Sequence, residues 1–240
     1  MDPRPLLYLC ARPQRDAAQA EWASFRVAMG RDTDGLHAWD LVADRLPHDA
    51  LERYAGFVVG GSPFNVTTPD KGAVQIRVEG DLARVAEAAA SGGTRAMFTC
   101  YGIGVVTRVF GGTVADTYPE GTGATTVALT DAGRADPVFG NLPERFDAFT
   151  AHKEGTEILP PGAVLLATNQ DCPVQAYRVG ESLYTTQFHP ELTPADFTAR
   201  MRIYRDGGYF DPSEFDAVAA RVLASPVTEP ARILHAFARL

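Results

Sequence analysis

A cysteine at position 100 stands in a sequence context that suits a chemical role. Cys100 ends the apolar run AMFT and is followed by YGIG, a pattern typical of a sharp turn between a buried strand and a helix. Such a turn lifts a nucleophile above the edge of the sheet, and the N–H groups at the start of the helix favour the thiolate. Gly102 and Gly104 would let the turn pack closely against neighbouring backbone. We therefore expect Cys100 to be an attacking nucleophile.

Two other interpretations fit the residues around Cys100. Free cysteines are usually small buried apolar residues, and this is the interpretation that we prefer for Cys10 and Cys172. Gly102-Ile103-Gly104 also begins the dinucleotide-binding pattern G-x-G-x-x-G, but Thr107 stands where the third glycine belongs. The choice between these interpretations depends on the partner residues.

The segment His189-Pro190-Glu191 offers a base and a carboxylate for Cys100. If the chain is extended there, His189 and Glu191 project to the same side, so the carboxylate can hold the imidazole while the other ring nitrogen faces a thiol. This is the nucleophile, base and orienter arrangement of a catalytic triad. A lone histidine is more often structural, but its combination with a cysteine and a glutamate favours catalysis.

The turn Gly60-Gly61-Ser62-Pro63 follows a predicted strand and suits an oxyanion hole. Acyl chemistry needs backbone N–H donors near the developing oxyanion, and glycine lets the backbone approach closely. The N–H groups of Gly61 and Tyr101 are the candidate donors. Taken alone, the same four residues are typical of an ordinary turn.

Short apolar runs alternate with helical patterns in the first half of the chain and must position these residues. The repeated strand–helix–strand order implies a parallel sheet with helices on both faces. The patterns predict strands at 6–11, 36–42, 57–59 and 95–99 and helices at 16–29 and 73–91.

The second half of the chain changes to strands with few helices between them. Predicted strands cover 113–115, 125–129, 163–167, 174–179 and 182–187, and the last three are expected to form antiparallel hairpins added to the parallel core. From Pro194 the pattern is helical, with breaks at Gly207-Gly208 and Pro226. The fold class predicted is α/β.

Composition and charge exclude several classes of function. A formal net charge of −8 argues against a nucleic-acid surface, which needs clustered lysine and arginine. No apolar run approaches the length of a membrane span. Three cysteines without a C-x-x-C pair suggest neither disulfides nor a zinc knuckle, so we expect a reducing, cytoplasmic environment.

Three motifs together resemble the class I glutamine amidotransferase family. FVVGGSP is similar to its oxyanion strand, FTCYGIG to its cysteine elbow and TTQFHPE to its His-Pro-Glu segment, in the family's order. The resemblance extends from about residue 6 to 193 and is strongest to the amidotransferase domain of GMP synthase and its stand-alone relatives. It predicts one domain over 1–240, with a core at 6–193 and a helical extension at 194–240.

This resemblance implies a Rossmann-like, flavodoxin-like fold and hydrolysis of a γ-glutamyl amide. It implies that Cys100 attacks the side-chain carbonyl of glutamine or a related compound, with His189 and Glu191 as its catalytic partners. It implies no metal and no organic cofactor. By their place in the motifs, the residues expected to line the substrate site are Gly60, Ser62, Gly104 and His152. For His152, which lies in the segment AHKE, a structural role in a loop is the alternative.

The sequence departs from the family pattern at two motif positions. Gly104 stands where the family usually has a substrate-contacting glutamine, and Ser62 stands where it more often has proline. The loss of a hydrogen-bonding group puts the preference for glutamine in question, so a hydrolase of other γ-glutamyl amides or peptides is an alternative. A non-catalytic binding or regulatory module on the same fold is a third hypothesis.

Two further expectations concern partners. The chain has no G-x-x-x-x-G-K-[ST] phosphate loop, so any synthetase that uses released ammonia is expected to be another polypeptide. The helical tail places Phe197, Met201 and Tyr204 on one face and Ile233, Leu234 and Phe237 on another. We expect these faces to cover the core, with a docking or homodimer surface as the alternative.

Overall fold

Eleven strands and eight α-helices make up the computed structural model, which describes residues 4–240. The strands are β1 (Leu6–Cys10), β2 (Leu36–Asp40), β3 (Gly56–Val59), β4 (Ala96–Thr99), β5 (Thr113–Ala115), β6 (Glu120–Leu129), β7 (Arg145–His152), β8 (Gly155–Ile158), β9 (Val164–Thr168), β10 (Ala176–Val179) and β11 (Leu183–Thr186). The helices are α1 (Arg15–Met29), α2 (Ala50–Arg53), α3 (Ala73–Ala90), α4 (Tyr101–Val109), α5 (Asp131–Ala135), α6 (Pro194–Ile203), α7 (Phe215–Leu223) and α8 (Ala231–Phe237).

Nine of the strands form one mixed sheet in the order β2-β1-β3-β4-β11-β10-β9-β6-β7. The first five are mutually parallel, and β10, β9, β6 and β7 continue the sheet in antiparallel pairs. Strands β5 and β8 form a separate antiparallel pair. The predicted α/β fold is therefore confirmed: a mostly parallel core flanked by helices with antiparallel strands added in the second half.

Alternating residues of the central strands supply the core on both faces of the sheet. Leu6 and Tyr8 of β1 pack into the cluster that contains residues of α1 and α8. Leu7 and Leu9 point to the opposite face and pack into the cluster that contains residues of α3 and α4. Both faces of β1 are buried, as expected for a strand in the parallel part of a doubly covered sheet.

Two strands near the site, β7 and β8, are absent from the sequence predictions. Polar side chains interrupt the apolar pattern of β7, because Asp147, Thr150 and His152 lie between its apolar residues. Strand β6 is also longer than predicted and begins at Glu120 instead of residue 125. The long pairing of β6 with β7 holds these polar residues in extended backbone despite their weak strand pattern.

The tail covers the core, as its apolar faces predict. Phe197 and Met201 of α6 pack in a cluster with Val218 and Val222 of α7. The apolar residues of α8 pack against the sheet beside residues of α1, in the first core cluster. No helix within residues 4–240 has the length and apolar character needed to cross a membrane.

Candidate active site

Cys100 lies in a strained turn between β4 and α4. Its φ is 52° and its ψ is −106°, and it is the one non-glycine residue with positive φ in residues 4–240. Such backbone is costly for a residue with a Cβ and is found mostly where function requires it. The Cys100 N–H donates to the Thr186 carbonyl at 2.8 Å, and a Cβ at Gly102 would lie 2.9 Å from that of Phe98. The sequence Cys-Tyr-Gly thus fits this sharp turn.

His189 and Glu191 form a buried pair beside Cys100. The His189 Nδ1 lies 2.8 Å from Glu191 Oε1, and the two residues are 4% and 3% exposed. The chain is extended at His189, which forms an antiparallel bridge with Phe149 of β7, but not beyond it, because Pro190-Glu191 form a turn. The His189 N–H donates to the Phe149 carbonyl at 2.9 Å, which fixes His189 at the end of the sheet.

The charges around His189 favour its imidazolium form. Burial lowers the pKa of His189, but the opposing effects of Glu191 and of the Cys100 sulfur are larger in sum and raise it to about 9. Burial raises the pKa of Glu191, whereas His189 and Arg200 lower it, to about 2. Because Nδ1 faces Glu191, Nε2 is the ring nitrogen left for the sulfur.

Three further charged residues, Arg12, Glu21 and Arg200, form an ion-pair network with Glu191, and sequence analysis did not identify them. Arg200 donates from Nη1 to Glu191 Oε1 at 2.9 Å and lies 3.1 Å from Glu21 Oε1. Arg12 donates from Nη2 to the same Glu21 oxygen at 2.8 Å, and the Tyr8 hydroxyl donates to Glu21 Oε2 at 2.6 Å. Two guanidinium groups therefore neutralise two carboxylates below the imidazole.

The signal for this network is a charged residue on an apolar helix face. Glu21 shares the buried face of α1 with Ala17 and Phe25, one helical turn away on either side. Arg200 lies on the buried face of α6 with Phe197 and Met201. A buried charge needs a partner, so these positions indicate an ion pair, although only the tertiary fold determines which charges meet.

The glycine turn after β3 lies against the His189–Glu191 pair. A Cβ at Gly61 would come within 2.9 Å of His189 Cε1 and 2.6 Å of Arg12 Nη2, so only glycine fits. The Gly61 N–H donates to Glu21 Oε1 at 3.2 Å. Tyr101, the other predicted donor, is the first residue of α4, where a backbone N–H has no acceptor within the helix.

The neighbours of Gly61 have structural contacts. A Cβ at Gly60 would lie 2.1 Å from Glu21 Oε2, so this glycine makes room for the buried carboxylate. The Ser62 hydroxyl donates to the Ala11 carbonyl at 2.6 Å and accepts from the Phe64 N–H at 3.1 Å. Ser62 therefore joins the turn to the end of β1, and it also lines the space beside Cys100.

Val66 and Glu154 border the space that a longer side chain at position 104 would need. A Cβ at Gly104 would lie 3.1 Å from Val66 Cγ2 and 3.7 Å from Glu154 Oε1. The Glu154 carboxylate accepts hydrogen bonds from the N–H groups of Val66 and Thr67, at 2.6 and 3.0 Å, and from the Thr67 hydroxyl. A carboxylate thus occupies the neighbourhood of the position where the family usually carries an amide side chain.

His152 has both ring nitrogens in contact with protein acceptors. Its Nε2 lies 2.7 Å from Glu120 Oε2 and its Nδ1 lies 2.9 Å from the Glu154 carbonyl. Glu120 also accepts from Asn169 Nδ2 at 2.7 Å and from Gln175 Nε2 at 2.6 Å. These contacts favour the structural alternative for His152, since it holds the loop that carries Glu154.

Two clefts meet at Cys100. The helix cleft lies between α4 and the loop after β7, and its polar lining includes Asn65, His152, Lys153 and Glu154. The tail cleft lies on the side of His189. Its outer wall comes from α6 and the segment after it: Phe197, Met201, Tyr204, Tyr209 and Phe210.

Two groups of side chains within residues 4–240 have the spacing of metal ligands. One is Glu21, His189 and Glu191, which Arg12 and Arg200 already neutralise. The other group is Glu120, His152 and Cys172. Its carboxylate, that of Glu120, is already hydrogen-bonded to the side chains of His152, Asn169 and Gln175. Burial raises the pKa of the Cys172 thiol to about 12, and a thiol is a poor ligand.

A sequence profile of the family Glutamine amidotransferase class-I matches residues 37–203. A GMP synthase (glutamine-hydrolyzing) from Thermosipho melanesiensis is 31% identical over 103 residues, which are 42% of this chain and 19% of that protein. The match thus spans about a fifth of the length of the first curated relatives. The profile includes Cys100, His189 and Glu191, whereas Arg12 and Glu21 lie outside it.

Solved structures share the fold over nearly the whole chain. A glutamine amidotransferase from Methylobacillus flagellatus has a TM-score of 0.75 at 19% identity, covering 98% of this chain and 93% of that one. A glutamine amidotransferase from Thermotoga maritima has a TM-score of 0.72 at 16% identity, covering 98% and 96%. At these identities the likeness extends to the fold.

Proposed function

The chain belongs to the class-I glutamine amidotransferase family, and we propose that it hydrolyses the side-chain amide of glutamine or of another γ-glutamyl compound through a thioester on Cys100. One observation carries the proposal. A cysteine in a strained strand-to-helix turn lies beside a buried His189–Glu191 pair, at the meeting point of two clefts. The family membership also confirms the resemblance drawn from the three motifs.

In the proposed reaction, the Cys100 thiolate attacks the amide carbonyl and forms an S–C bond, so that an oxyanion develops. When this intermediate collapses, the C–N bond breaks and the His189 imidazolium gives its proton to the departing nitrogen. Neutral His189 then takes a proton from water as the water oxygen attacks the thioester, the S–C bond breaks, and glutamate and the Cys100 thiolate are released. The pKa of His189, raised to about 9, supports a protonated imidazole at neutral pH.

Backbone donors of two segments would stabilise the oxyanion. The N–H of Tyr101 is supported by its place at the start of α4, and that of Gly61 by its closeness to His189 and Cys100. Gly61 now donates to Glu21, so its use requires this hydrogen bond to be exchanged for one to the oxyanion. Glu21 would keep Arg12, Arg200 and Tyr8 as partners after the exchange.

The helix cleft suits the glutamyl half of the substrate. Free glutamate and glutamine carry an α-ammonium and an α-carboxylate, and this cleft contains both a carboxylate, Glu154, and an ammonium, Lys153. Its position beside Gly104 and Tyr101 places such a ligand next to Cys100. We propose Glu154 as a specificity residue that replaces the missing glutamine of the family pattern.

A second candidate function is the supply of ammonia to a separate synthetase subunit. The observation that favours it is the similarity to glutamine-hydrolyzing GMP synthases. In that case glutamine is the preferred amide, and ammonia release rises when the synthetase is added. A preference for a larger amide over glutamine would instead favour an independent hydrolase.

The test of the proposed function is glutamate release from glutamine and from a panel of γ-glutamyl amides. We expect turnover that falls by at least about 1,000-fold in Cys100→Ala. Cys172→Ala is the matched control, because it removes a second buried free cysteine outside the site. Turnover that survives in Cys100→Ala would contradict the proposal, and so would its absence for every amide.

A further inference from the structure

The two clefts differ in chemistry as well as in position. Opposite charges line the helix cleft, where Lys153 and Glu154 are present. The tail cleft combines a polar base, which includes Arg12 and Arg200, with the aromatic and apolar side chains of Phe197, Met201 and Phe210. His189 lines the tail cleft, whereas Cys100 borders both. The nucleophile therefore lies between a cleft with a carboxylate and an ammonium and a cleft with an aromatic wall.

The reaction determines which half of an amide lies on which side of Cys100. The leaving nitrogen must lie near His189, since this residue is the acid that protonates it. The carbon chain of the glutamyl group extends away from the same carbonyl, toward the polar helix cleft. A substituent on the leaving nitrogen would consequently enter the tail cleft.

We propose that the tail cleft binds the amine half of a γ-glutamyl amide whose amine is larger than ammonia and has an apolar or aromatic body; this inference rests on the proposed function. Ammonia would contact the part of the tail cleft at His189 and would leave Phe197, Met201 and Phe210 without a ligand contact. These side chains favour a hydrocarbon or aromatic group beside them.

The charges at the base of the tail cleft do not call for a charged ligand. The cations Arg12 and Arg200 contact the carboxylates Glu21 and Glu191, and the His189 imidazolium faces the thiolate proposed at Cys100, so the charges balance. The pKa of Tyr209 is raised to about 12, by burial first and then by the nearby Cys100, so its phenol is neutral at neutral pH. An uncharged substituent therefore leaves this charge balance unchanged.

The wall of the tail cleft is held in place by hydrogen bonds to the site. The Thr122 hydroxyl of β6 donates to the Tyr209 carbonyl at 3.1 Å, and Lys153 Nζ donates to the Gly207 carbonyl at 3.1 Å. Arg12 Nη1 donates to the Tyr204 hydroxyl at 3.1 Å. The cleft is thus formed before any ligand binds, which lowers the entropy cost of binding.

Part of this wall lies outside the segment matched to the family. The family profile ends at residue 203, and Tyr204, Tyr209 and Phe210 follow it. The proton donor thus comes from the family segment, while the outer surface of the tail cleft comes from residues beyond it. This division is consistent with a chemical step that the family shares and a leaving-group preference that is particular to this chain.

The test compares kcat/KM for γ-glutamyl benzylamide, γ-glutamyl methylamide and glutamine. We expect the benzylamide to exceed the methylamide by at least about 10-fold, and this ratio to fall by about 10-fold in Phe210→Ala, because an aromatic contact is lost. Phe210→Leu keeps an apolar side chain and should restore most of the preference. Leu223→Ala, at an exposed apolar residue at the end of α7, is the control and should keep the full ratio.

The possible results separate this inference from the proposed function. Cys100-dependent hydrolysis of glutamine or the methylamide without a preference for the benzylamide would overturn the inference alone. A preference that Phe210→Ala leaves intact, in a variant whose thermal unfolding matches the wild type, would overturn it as well. Absence of turnover for all three amides would overturn the proposed function and the inference together.

Discussion

Residues 4–240 contain two buried histidine–glutamate pairs with nearly the same spacing but different surroundings. His189 lies 2.8 Å from Glu191, and His152 lies 2.7 Å from Glu120. In the first pair one ring nitrogen is left for the Cys100 sulfur, whereas in the second both nitrogens contact protein acceptors. A histidine–carboxylate contact is thus insufficient for catalysis, because the second nitrogen must face a reacting group.

The two pairs also differ in what neutralises the carboxylate. Arg200 contacts Glu191, so a full positive charge stabilises the carboxylate beneath the imidazole. Neutral amides, those of Asn169 and Gln175, donate to Glu120. The first pair is embedded in a charged network and the second in a neutral one, which suits a chemical role for the first and a structural role for the second.

Replacing the two histidines in turn should give the largest contrast. We expect His189→Ala to lower kcat by at least about 1,000-fold, because the proton donor and acceptor is lost. We expect His152→Ala to lower kcat by less than about 10-fold and to act mainly on KM, since it releases the loop that carries Glu154. Steady-state glutamate release from the best amide measures both, and equal losses of kcat would contradict the distinction.

The two glutamates should repeat the contrast at a smaller scale. Glu191→Gln removes the acceptor that orients His189, and the expected loss of kcat lies between about 100- and 10,000-fold. Glu120→Gln should leave kcat within about 3-fold and lower the thermal midpoint instead, because it weakens the network that joins β6 and β7 to Gln175, the residue before β10. A larger kcat loss in Glu120→Gln than in Glu191→Gln would reverse the assignment.

Arg200 is a positioning residue, and its removal should affect stability more than most surface changes. Arg200→Met leaves the buried carboxylates Glu21 and Glu191 with less compensation, so the free energy of unfolding should fall by about 3–5 kcal/mol. The pH profile of kcat should shift as well, which a purely structural residue would not cause. Arg202→Met, on the exposed side of the same helix, should cost less than about 1 kcal/mol.

The pH dependence of unfolding offers the smallest and most general contrast. The pKa of His189 is about 9 in the folded protein and 6.5 for an ordinary histidine, so its contribution is complete below about pH 6.5 and is lost as the pH rises to about 9. The shift corresponds to a contribution on the order of 3 kcal/mol. Denaturant unfolding between pH 6 and pH 10 should show a flatter decline in His189→Asn, and identical slopes would contradict the charged pair.

The local features of the site could be predicted because they depend on residues adjacent in sequence. The turn at Cys100 follows from an apolar strand that meets Tyr101 and two glycines, and this pattern survives without knowledge of the rest of the fold. The parallel half of the sheet follows from alternating strand and helix patterns for the same reason. The chain is extended at His189 and turns at Pro190-Glu191, yet the His189 and Glu191 side chains are neighbours as predicted, because the two residues are close in sequence.

The rest of the site depends on contacts between distant segments. Arg12, Glu21 and Arg200 meet because β1, α1 and α6 pack together, and no spacing in the sequence encodes that contact. Strand β7 was missed because its polar residues lack a strand pattern, although pairing with β6 holds them extended. The tail cleft was not predicted because its lining residues come from segments that are distant in sequence: the residue Arg12 after β1, strands β6 and β7, helix α6 and the segment after it.

The most direct test of the account is intact-mass spectrometry after incubation with 6-diazo-5-oxo-norleucine, an electrophile with a glutamine skeleton. We predict a single adduct in the wild type, at Cys100, and none in Cys100→Ala, while Cys172→Ala is labelled like the wild type. An adduct that persists in Cys100→Ala would contradict the central claim. So would no adduct in a protein whose Cys100 still reacts with iodoacetamide, because the thiol would then be exposed but the glutamyl site absent.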